Sequence, residues 1–514
     1  MKFSWRNPFF IFGLVLLWRV VLLVFTAQPI PANDAGFFDG ALVNWILHGH
    51  YFNPSLAEVF PISGRQVFSA YPPLYQGVML VWMLVFGVSV IAAMALHLCL
   101  FAAGGFVALV IVRKYFPASV NYALVALLFF GFTFGDRPES LAHVLGLTAL
   151  LLLAKNFSSE PRWRWGLAAG GVLFLTLYTS VIVGAFYFGA GFVAAATAWW
   201  WRRNSILFAP FVLAAALFAG ITFTIARTEP LLWAGFLENA RQTPVLTAGL
   251  RRPDVLEIIK LIRTAPVFLL ALVFLPLLFR RRREVFSGAE TWPFLLAGVF
   301  TAGWALLVAD MTLLAPNYVA YVTFAQIILT AGLLALAGKL FPGREWLLRV
   351  VLAGCVVLVS VRAIGMTTWG AACAWKNTCW HSRETLRVEL EPFTKADVPV
   401  VVSSAFLYSA LEFGVRHPVH SDWYFDRSSP APDADFAGLV RLRPPKLVLN
   451  QFDYYRAFVP LLEKLRRHPE LVQVQVRDFA AVRTPDSIPS LQRVVQHISW
   501  APVIVDLHWQ MPAP

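Results

Sequence analysis

The sequence predicts a polytopic α-helical membrane protein that ends in a small α/β domain, and three observations carry that prediction. Apolar runs close to the ~20 residues needed to cross a hydrocarbon core recur from Phe9 to about Gly365. Basic residues collect between those runs: Lys2 and Arg6, Arg113-Lys114, Lys155 with Arg162 and Arg164, Arg202-Arg203, Arg280 to Arg283, and Lys339 with Arg344. From about Thr367 the apolar character ends and Asp, Glu, Arg, His and Pro become common. The whole chain is 58% hydrophobic and 14% charged, against roughly a quarter charged in ordinary domains. With a mean hydropathy of +0.65, a soluble globular chain is excluded.

A net charge of +13 raises nucleic acid as a partner, but the placement of the charge argues against it. Clusters at the ends of apolar runs are what the positive-inside rule produces. They are read as a topology signal and as contacts to anionic lipid, with no nucleic-acid partner.

With the basic clusters as inside markers, spans fall near 8–27, 88–112, 117–134, 138–155, 165–180, 181–201, 205–226, 265–280, 291–309, 318–338 and 347–366. That makes about eleven crossings, with the N-terminus cytoplasmic and the C-terminus outside. The first run holds Arg19 and has no clear cleavage site after it, so it is read as a retained helix rather than a signal peptide. The run from Leu74 to Val85 is too short to cross. It is expected to be re-entrant or to lie on the outer surface. The spans at 165–180 and 181–201 have only Tyr178-Thr179-Ser180 between them, which implies a tight outer turn.

This map divides the chain into a membrane domain, 1–366, and an extracytoplasmic α/β domain, 367–514. The outer segments are 28–87, 135–138, a basic loop at 227–264, and the tail. In the tail, Val398-Pro399-Val400-Val401-Val402 and Lys446-Leu447-Val448-Leu449 read as buried strands, and Tyr455 to Arg467 has helical spacing. Four cysteines are too few for a disulfide framework. Cys99 and Cys355 sit in apolar runs and are expected to pack there. Whether Cys373 and Cys379 pair stays open, and their spacing is a weak metal signal.

The candidate chemistry lies on the outer side. Asn33-Asp34-Ala35-Gly36-Phe37-Phe38-Asp39 follows the first span and continues through Ala41 to Leu47 as an amphipathic helix suited to the interface. The next outer turn, Gly135-Asp136-Arg137-Pro138-Glu139, is also acidic. The map therefore gathers Asp34, Asp39, Asp136 and Glu139 on one surface. Such carboxylates serve as a general base, as ligands for a hard divalent cation, or as orienting groups. Arg137 has a plain alternative, an ion pair with Asp136 or Glu139 that fixes the helix entry beside Pro138.

The loop at 227–264 carries Arg227, Arg241, Arg251, Arg252, Lys260 and Arg263 against the inside bias. Arg251 and Arg252 are assigned to phosphate, since guanidinium groups bind its oxygens bidentately. Lys260 and Arg263 are assigned to ion pairs on a surface helix with Asp254 and Glu257. His48 and His50 read as a helix cap, and His97 and His143 as hydrogen-bonded packing residues. No GxxxxGKS, GxSxG or HExxH motif is present, so ATP-driven, serine-hydrolase and zincin readings lack support.

On these residues the chain resembles the GT-C superfamily of integral-membrane glycosyltransferases, in the branch of protein O-mannosyltransferases and lipid A aminoarabinose transferases. The elements that match are Asp34 soon after the first span, then Tyr71-Pro72-Pro73-Leu74-Tyr75, similar to that branch's HPPL segment, and Phe86-Gly87. Arg113-Lys114-Tyr115-Phe116, Arg137-Pro138-Glu139-Ser140-Leu141-Ala142, Leu175-Thr176-Leu177-Tyr178-Thr179 and Asn317-Tyr318 follow in order. Tyr71 stands where the branch usually has His, Leu177 where Lys is common, and Asn317 where Arg is common.

The resemblance implies a GT-C-like fold and a polyprenyl-phosphate sugar donor that enters from the bilayer. The acceptor would be a hydroxyl on a lipid, glycan or protein at the outer face of a bacterial plasma membrane. It casts Asp34 as the base, with Asp136 and Glu139 as second catalytic acids. Asp39, Tyr71, Tyr75, Arg137, Tyr178, Arg251, Arg252, Asn317 and Tyr318 become substrate contacts, for hexosyl or pentosyl transfer. No metal ligand is assigned; a divalent cation is the one cofactor raised, since metal dependence varies among members. The competing reading is a transporter or lipid-linked-sugar flippase, a class marked by repeats and mid-membrane charges. A third reading is a non-catalytic assembly or sensor protein.

Overall fold

The computed structural model describes residues 8–26, 33–117, 137–158, 162–247, 267, 270–271, 288–311, 316–340, 343, 346–355, 357, 379–421, 432–450, 454, 458–479 and 501–510. Helices dominate up to residue 357. In chain order they are α1 (Pro8–Thr26), α2 (Asn33–His48), α3 (Pro61–Arg65), α4 (Leu74–Phe86), α5 (Val90–Tyr115) and α6 (Glu139–Ser158). Then come α7 (Trp163–Leu177), α8 (Val181–Arg202), α9 (Ala209–Thr228), α10 (Pro230–Thr247), α11 (Thr291–Met311), α12 (Pro316–Leu340) and α13 (Trp346–Cys355).

Their ends follow local chemistry. Ser89 caps α5 by accepting from Ala92 N at 3.0 Å, and Arg113 and Lys114 close its last turn, where cations suit the helix dipole. Helix α7 ends at Tyr178 and α8 begins after Ser180, so the expected Tyr178-Thr179-Ser180 turn is there.

Among the described residues, four helices are long and apolar enough to cross a membrane: Val90–Tyr115, Glu139–Phe157, Val181–Trp200 and Ser205–Thr228. Shorter apolar helices cover the expected spans at 8–27, 291–309 and 318–338, and α13 covers the start of the one at 347–366. The expected span at 117–134 and most of that at 265–280 lie outside the described residues. The core of this bundle joins α5, α6, α8, α11 and α12. There His143 is packed among Tyr187, Phe300 and Phe324, with its Nδ1 3.2 Å from the Tyr187 hydroxyl. Cys355 packs partly against this core, but Cys99 faces outward from α5, so its expected packing role does not hold.

Two outer segments differ from expectation. The segment at 227–264 is not a loop where it is described, because Pro230 restarts the chain as the 18-residue α10. That helix docks on residues 61–70: Glu238 accepts from Ile62 N at 3.0 Å and Ser63 N at 3.2 Å at the start of α3, and Asn239 donates to Ala70 O at 2.7 Å. Helix α2 is not a surface-lying helix either. Residues 38 to 44 are all buried, because the tail covers the face that sequence alone leaves to solvent.

After residue 378 the chain folds around a five-stranded sheet with α14 (Cys379–Leu390), α15 (Ser404–Glu412), α16 (Pro432–Leu442) and α17 (Val459–Arg466). The strands are β1 (Val400–Val402), β2 (Pro418–His420), β3 (Lys446–Leu449), β4 (Leu471–Asp478) and β5 (Val503–Trp509), in the order β2-β1-β3-β5-β4. Both expected strands are present, as is the helix within 455–467. Strand β1 runs parallel to β2 and β3, with Val401 opposite Val419 and Leu447. Strand β5 runs antiparallel between β3 and β4. The all-valine β1 is buried throughout, as parallel strands covered on both faces are. Cys373 lies outside the described residues.

The sheet and the helices meet in one shared core. Phe406, Leu407, Tyr408 and Leu411 of α15 pack with Phe38, Leu42 and Val43 of α2, Met79 and Met83 of α4, and Met94 of α5. Glu412 accepts from Val90 N at 3.1 Å and pairs with Arg383 of α14, so the tail's carboxylate sits at the start of α5.

Candidate active site

Helix α2 opens on Asn33-Asp34, and Phe38 follows Asp34 by four residues, so the two positions share one helix face. Phe38 anchors the described cluster. Its ring meets Tyr71 edge-on at 4.6 Å, and the Arg137 guanidinium lies 5.3 Å from its centroid. Tyr71 donates to Glu139 Oε1 at 3.2 Å, and Arg137 Nε donates to Glu139 Oε2 at 3.2 Å. Glu139 starts α6, where the helix dipole favours an acid, and is buried. The pairing of Arg137 with Glu139 is the helix-entry contact read from the sequence. Phe38, Tyr71 and the Arg137–Glu139 pair, from three separate stretches, thus converge on one place.

Asp39 and Tyr75, expected to touch substrate, are fully buried instead. The Tyr75 hydroxyl donates to Asp39 Oδ1 at 3.0 Å and stands 3.0 Å from His97 Nε2. Helix geometry turns residue 39 away from the face shared by residues 34 and 38, toward α4 and α5.

Tyr178 closes α7, stacks on Phe174 at 5.4 Å, and lines an apolar groove of about 650 Å³. Pro73, Leu74, Gly77, Val78, Val81, Trp82, Val85 and Phe86 form the rest of its wall, so the groove begins two residues from Tyr71. Asn317 and Tyr318 lie in the first turn of α12. Asp136, Arg251 and Arg252 lie outside the described residues. Among the described residues no three His, Cys, Asp or Glu side chains gather into a metal-sized group.

Phe38, Asn53, Gln76 and His97 were not singled out from the sequence as part of the site. His97 carried a signal, being a histidine inside an apolar run. Asn53 and Gln76 carried none.

No protein-family model matches the sequence, and no curated protein is significantly similar to it in sequence. Solved structures do match. ArnT from Cupriavidus metallidurans bound to undecaprenyl phosphate is similar at 15% identity over 98% of each chain, with a TM-score of 0.50. The apo state of the same protein is similar at 15% identity over 96% of this chain and 97% of that one, also at 0.50. The Archaeoglobus fulgidus oligosaccharyltransferase, solved with Zn and sulfate, is similar at 12% identity over 88% of this chain and 71% of that one, at 0.44. The chain has a fold similar to that of ArnT over nearly the whole length of both chains, in line with the fold that the resemblance implied.

Proposed function

We propose that the protein is a membrane glycosyltransferase that moves one sugar from a polyprenyl phosphate to a hydroxyl of a lipid, glycan or protein. The observation that carries this reading is the convergence of Phe38, which shares a helix face with position 34, with Tyr71 and the Arg137–Glu139 pair, two residues along the chain from an apolar groove. In the transfer, the acceptor oxygen bonds to the anomeric carbon as that carbon's bond to the phosphate oxygen breaks. Asp34 takes the hydroxyl proton, and the electron pair leaves with polyprenyl phosphate.

Glu139, with both oxygens engaged, serves as the orienting acid, and Asp136, three residues earlier in the chain, completes the second acidic position. Arg251 and Arg252 counter the charge of the departing phosphate, together with Arg137. Asn317 and Tyr318 complete the donor contacts. The groove takes the isoprenoid tail: its lining is apolar, and Val81, Leu84, Val85 and Phe86 on the outward side of α4 are exposed, as groups facing lipid are. The ArnT structure bound to undecaprenyl phosphate supports a donor of this chemistry.

The same reading places about eleven spans in a bacterial inner membrane, with the N-terminus cytoplasmic and the tail, 367–514, outside. It is supported by the packing of α15 on α2, the helix that follows the first span, and on the start of α5.

The test is radiolabelled polyprenyl-phosphate sugar incubated with membranes that hold the protein. Asp34→Ala inserts normally and loses ~100- to 10,000-fold in turnover, the range of general base catalysis. Full activity in that variant rejects the base assignment. Vectorial movement of the labelled lipid without product rejects the enzyme.

A further inference from the structure

Helix α2 is held by more polar contacts than a helix needs. Its carbonyls at Gly36, Phe37 and Phe38 are helical, so each faces an amide four residues on. Each nevertheless accepts again from a side chain. Asn53 Nδ2 donates to Gly36 O at 2.8 Å and to Phe37 O at 2.9 Å, and Gln76 Nε2 donates to Phe38 O at 2.7 Å. At the next residue, Asp39 accepts the Tyr75 hydroxyl, which is shared with His97 of α5. The rings of Tyr75 and His97 stack at 5.9 Å, and Asp39, Asn53, Tyr75, Gln76 and His97 are all buried.

Bonds that are redundant for making a helix still determine where the helix stands. A buried carboxylate strengthens this argument, because its desolvation is costly unless its partners hold it. With one proton on Tyr75 and one on His97 Nε2, the order His97 to Tyr75 to Asp39 gives both of these contacts a donor and an acceptor, and no proton has to move during turnover. Tyr408 of α15 is also fully buried, close enough to feel the same carboxylate. Burial first, and then the Asp39 charge, hold its phenol well above the ordinary tyrosine range.

We propose that Asp39, Tyr75 and His97 are positioning residues, a buried line of hydrogen bonds that fixes the place of α2 and with it Asp34 relative to Tyr71, Arg137 and Glu139. The proposal rests on the glycosyltransferase reading for its catalytic consequence, though not for its structural one.

The experiment uses the full chain in detergent. Tyr75→Phe keeps the ring and deletes the hydroxyl that joins the other two groups. It lowers kcat by ~10- to 100-fold, the scale of a misplaced reacting group, and leaves the donor KM unchanged. Asp39→Leu behaves the same way, and Asp39→Asn, which still offers an oxygen to Tyr75, restores most of the loss. Hydrogen exchange of the α2 amides rises in Tyr75→Phe and Asp39→Leu and returns toward wild type in Asp39→Asn.

Wild-type kcat in Tyr75→Phe overturns the proposal. So does an Asp39→Asn variant as inactive as Asp39→Leu, since the charge itself would then be required. If the wild type transfers no sugar, the function reading falls alone, and exchange still decides: unchanged α2 protection in Tyr75→Phe overturns the positioning role.

Discussion

Leu407 closes on Gly36 so tightly that a Cβ on the glycine would lie 2.6 Å from Leu407 Cδ2 and 2.8 Å from its Cγ. This contact seats the tail on the helix that carries Asp34, and only a residue without a side chain fits there. Gly36→Val overpacks the junction and costs about 1–3 kcal/mol, read as a lower Tm in detergent. Leu407→Ala alone leaves a cavity and costs about 2–5 kcal/mol. The double variant is less destabilised than the sum of the two, by a coupling of roughly 0.5–3 kcal/mol. Simple additivity would remove the claim that these two side chains meet.

The Arg137–Glu139 pair permits a second test, because both side chains are largely out of solvent, at 12% and 2% exposure. Glu139→Ala removes one acceptor from the guanidinium over Phe38 and one from Tyr71. The cost of breaking such a pair from one side is roughly 3–5 kcal/mol. Glu139→Gln keeps an oxygen for Tyr71 or Arg137 and is expected to be less destabilised and more active than Glu139→Ala. Equal Tm and equal activity in the two variants would show that the carboxyl oxygens hold neither partner.

The helices of the bundle were legible because their apolar runs are unbroken and end on polar signals. The span expected at 88–112 is α5, Val90–Tyr115, closed by Arg113 and Lys114. The Tyr178 turn was visible because nothing else polar separates two long apolar runs. The site was legible only in part. Tyr71, Arg137 and Glu139 do meet, but an aspartate five residues past Asp34 looks equally solvent-facing in sequence. Its burial depends on Tyr75 and His97 arriving from two later helices. The tail's strand order was hidden for the same reason: β5 comes from the far end of the chain and inserts between β3 and β4. Such pairings depend on distant segments that local pattern does not report.

The tail also has an internal charge network with a pH signature. Glu389 of α14 binds Lys446 of β3 and accepts from Arg477 Nη2 of β4 at 2.8 Å, while Asp506 of β5 accepts from Arg477 at 2.8 Å. Burial works to raise the Glu389 pKa, but the hydrogen bonds from Arg477 and then Lys446 outweigh it and leave the group below its ordinary 4.5. A depressed folded pKa means stability that is fully present above the unfolded value and lost as pH falls through the folded one. The Tm gap between wild type and Glu389→Gln is therefore constant from pH 7 to about 5 and shrinks below about 4.3. Glu412 runs the other way. Burial raises its pKa despite Arg383, so its ionisation opposes folding, and the penalty sets in as pH rises past 4.5. A Glu389→Gln gap that widens in acid contradicts the assignment.

Gly77 gives the most direct access to the groove proposed for the isoprenoid tail. It lines that groove, and nothing lies within 4 Å of a Cβ built on it. Leucine at this position enters the groove without a clash, and helix α4 gains by losing a glycine, by up to about 1 kcal/mol. Gly77→Leu is thus expected to keep or raise the Tm. If the isoprenoid tail occupies the groove, the new side chain displaces about three methylenes' worth of apolar contact, about 2–3 kcal/mol. That loss raises the donor KM roughly 30- to 150-fold and leaves kcat at saturating donor unchanged, because the proposed reacting groups do not line the groove. Gly171→Leu in α7 is the control, since a side chain there also meets open space but does not line the groove. An unchanged donor KM in Gly77→Leu, or an equal rise in Gly171→Leu, moves the lipid tail away from α4.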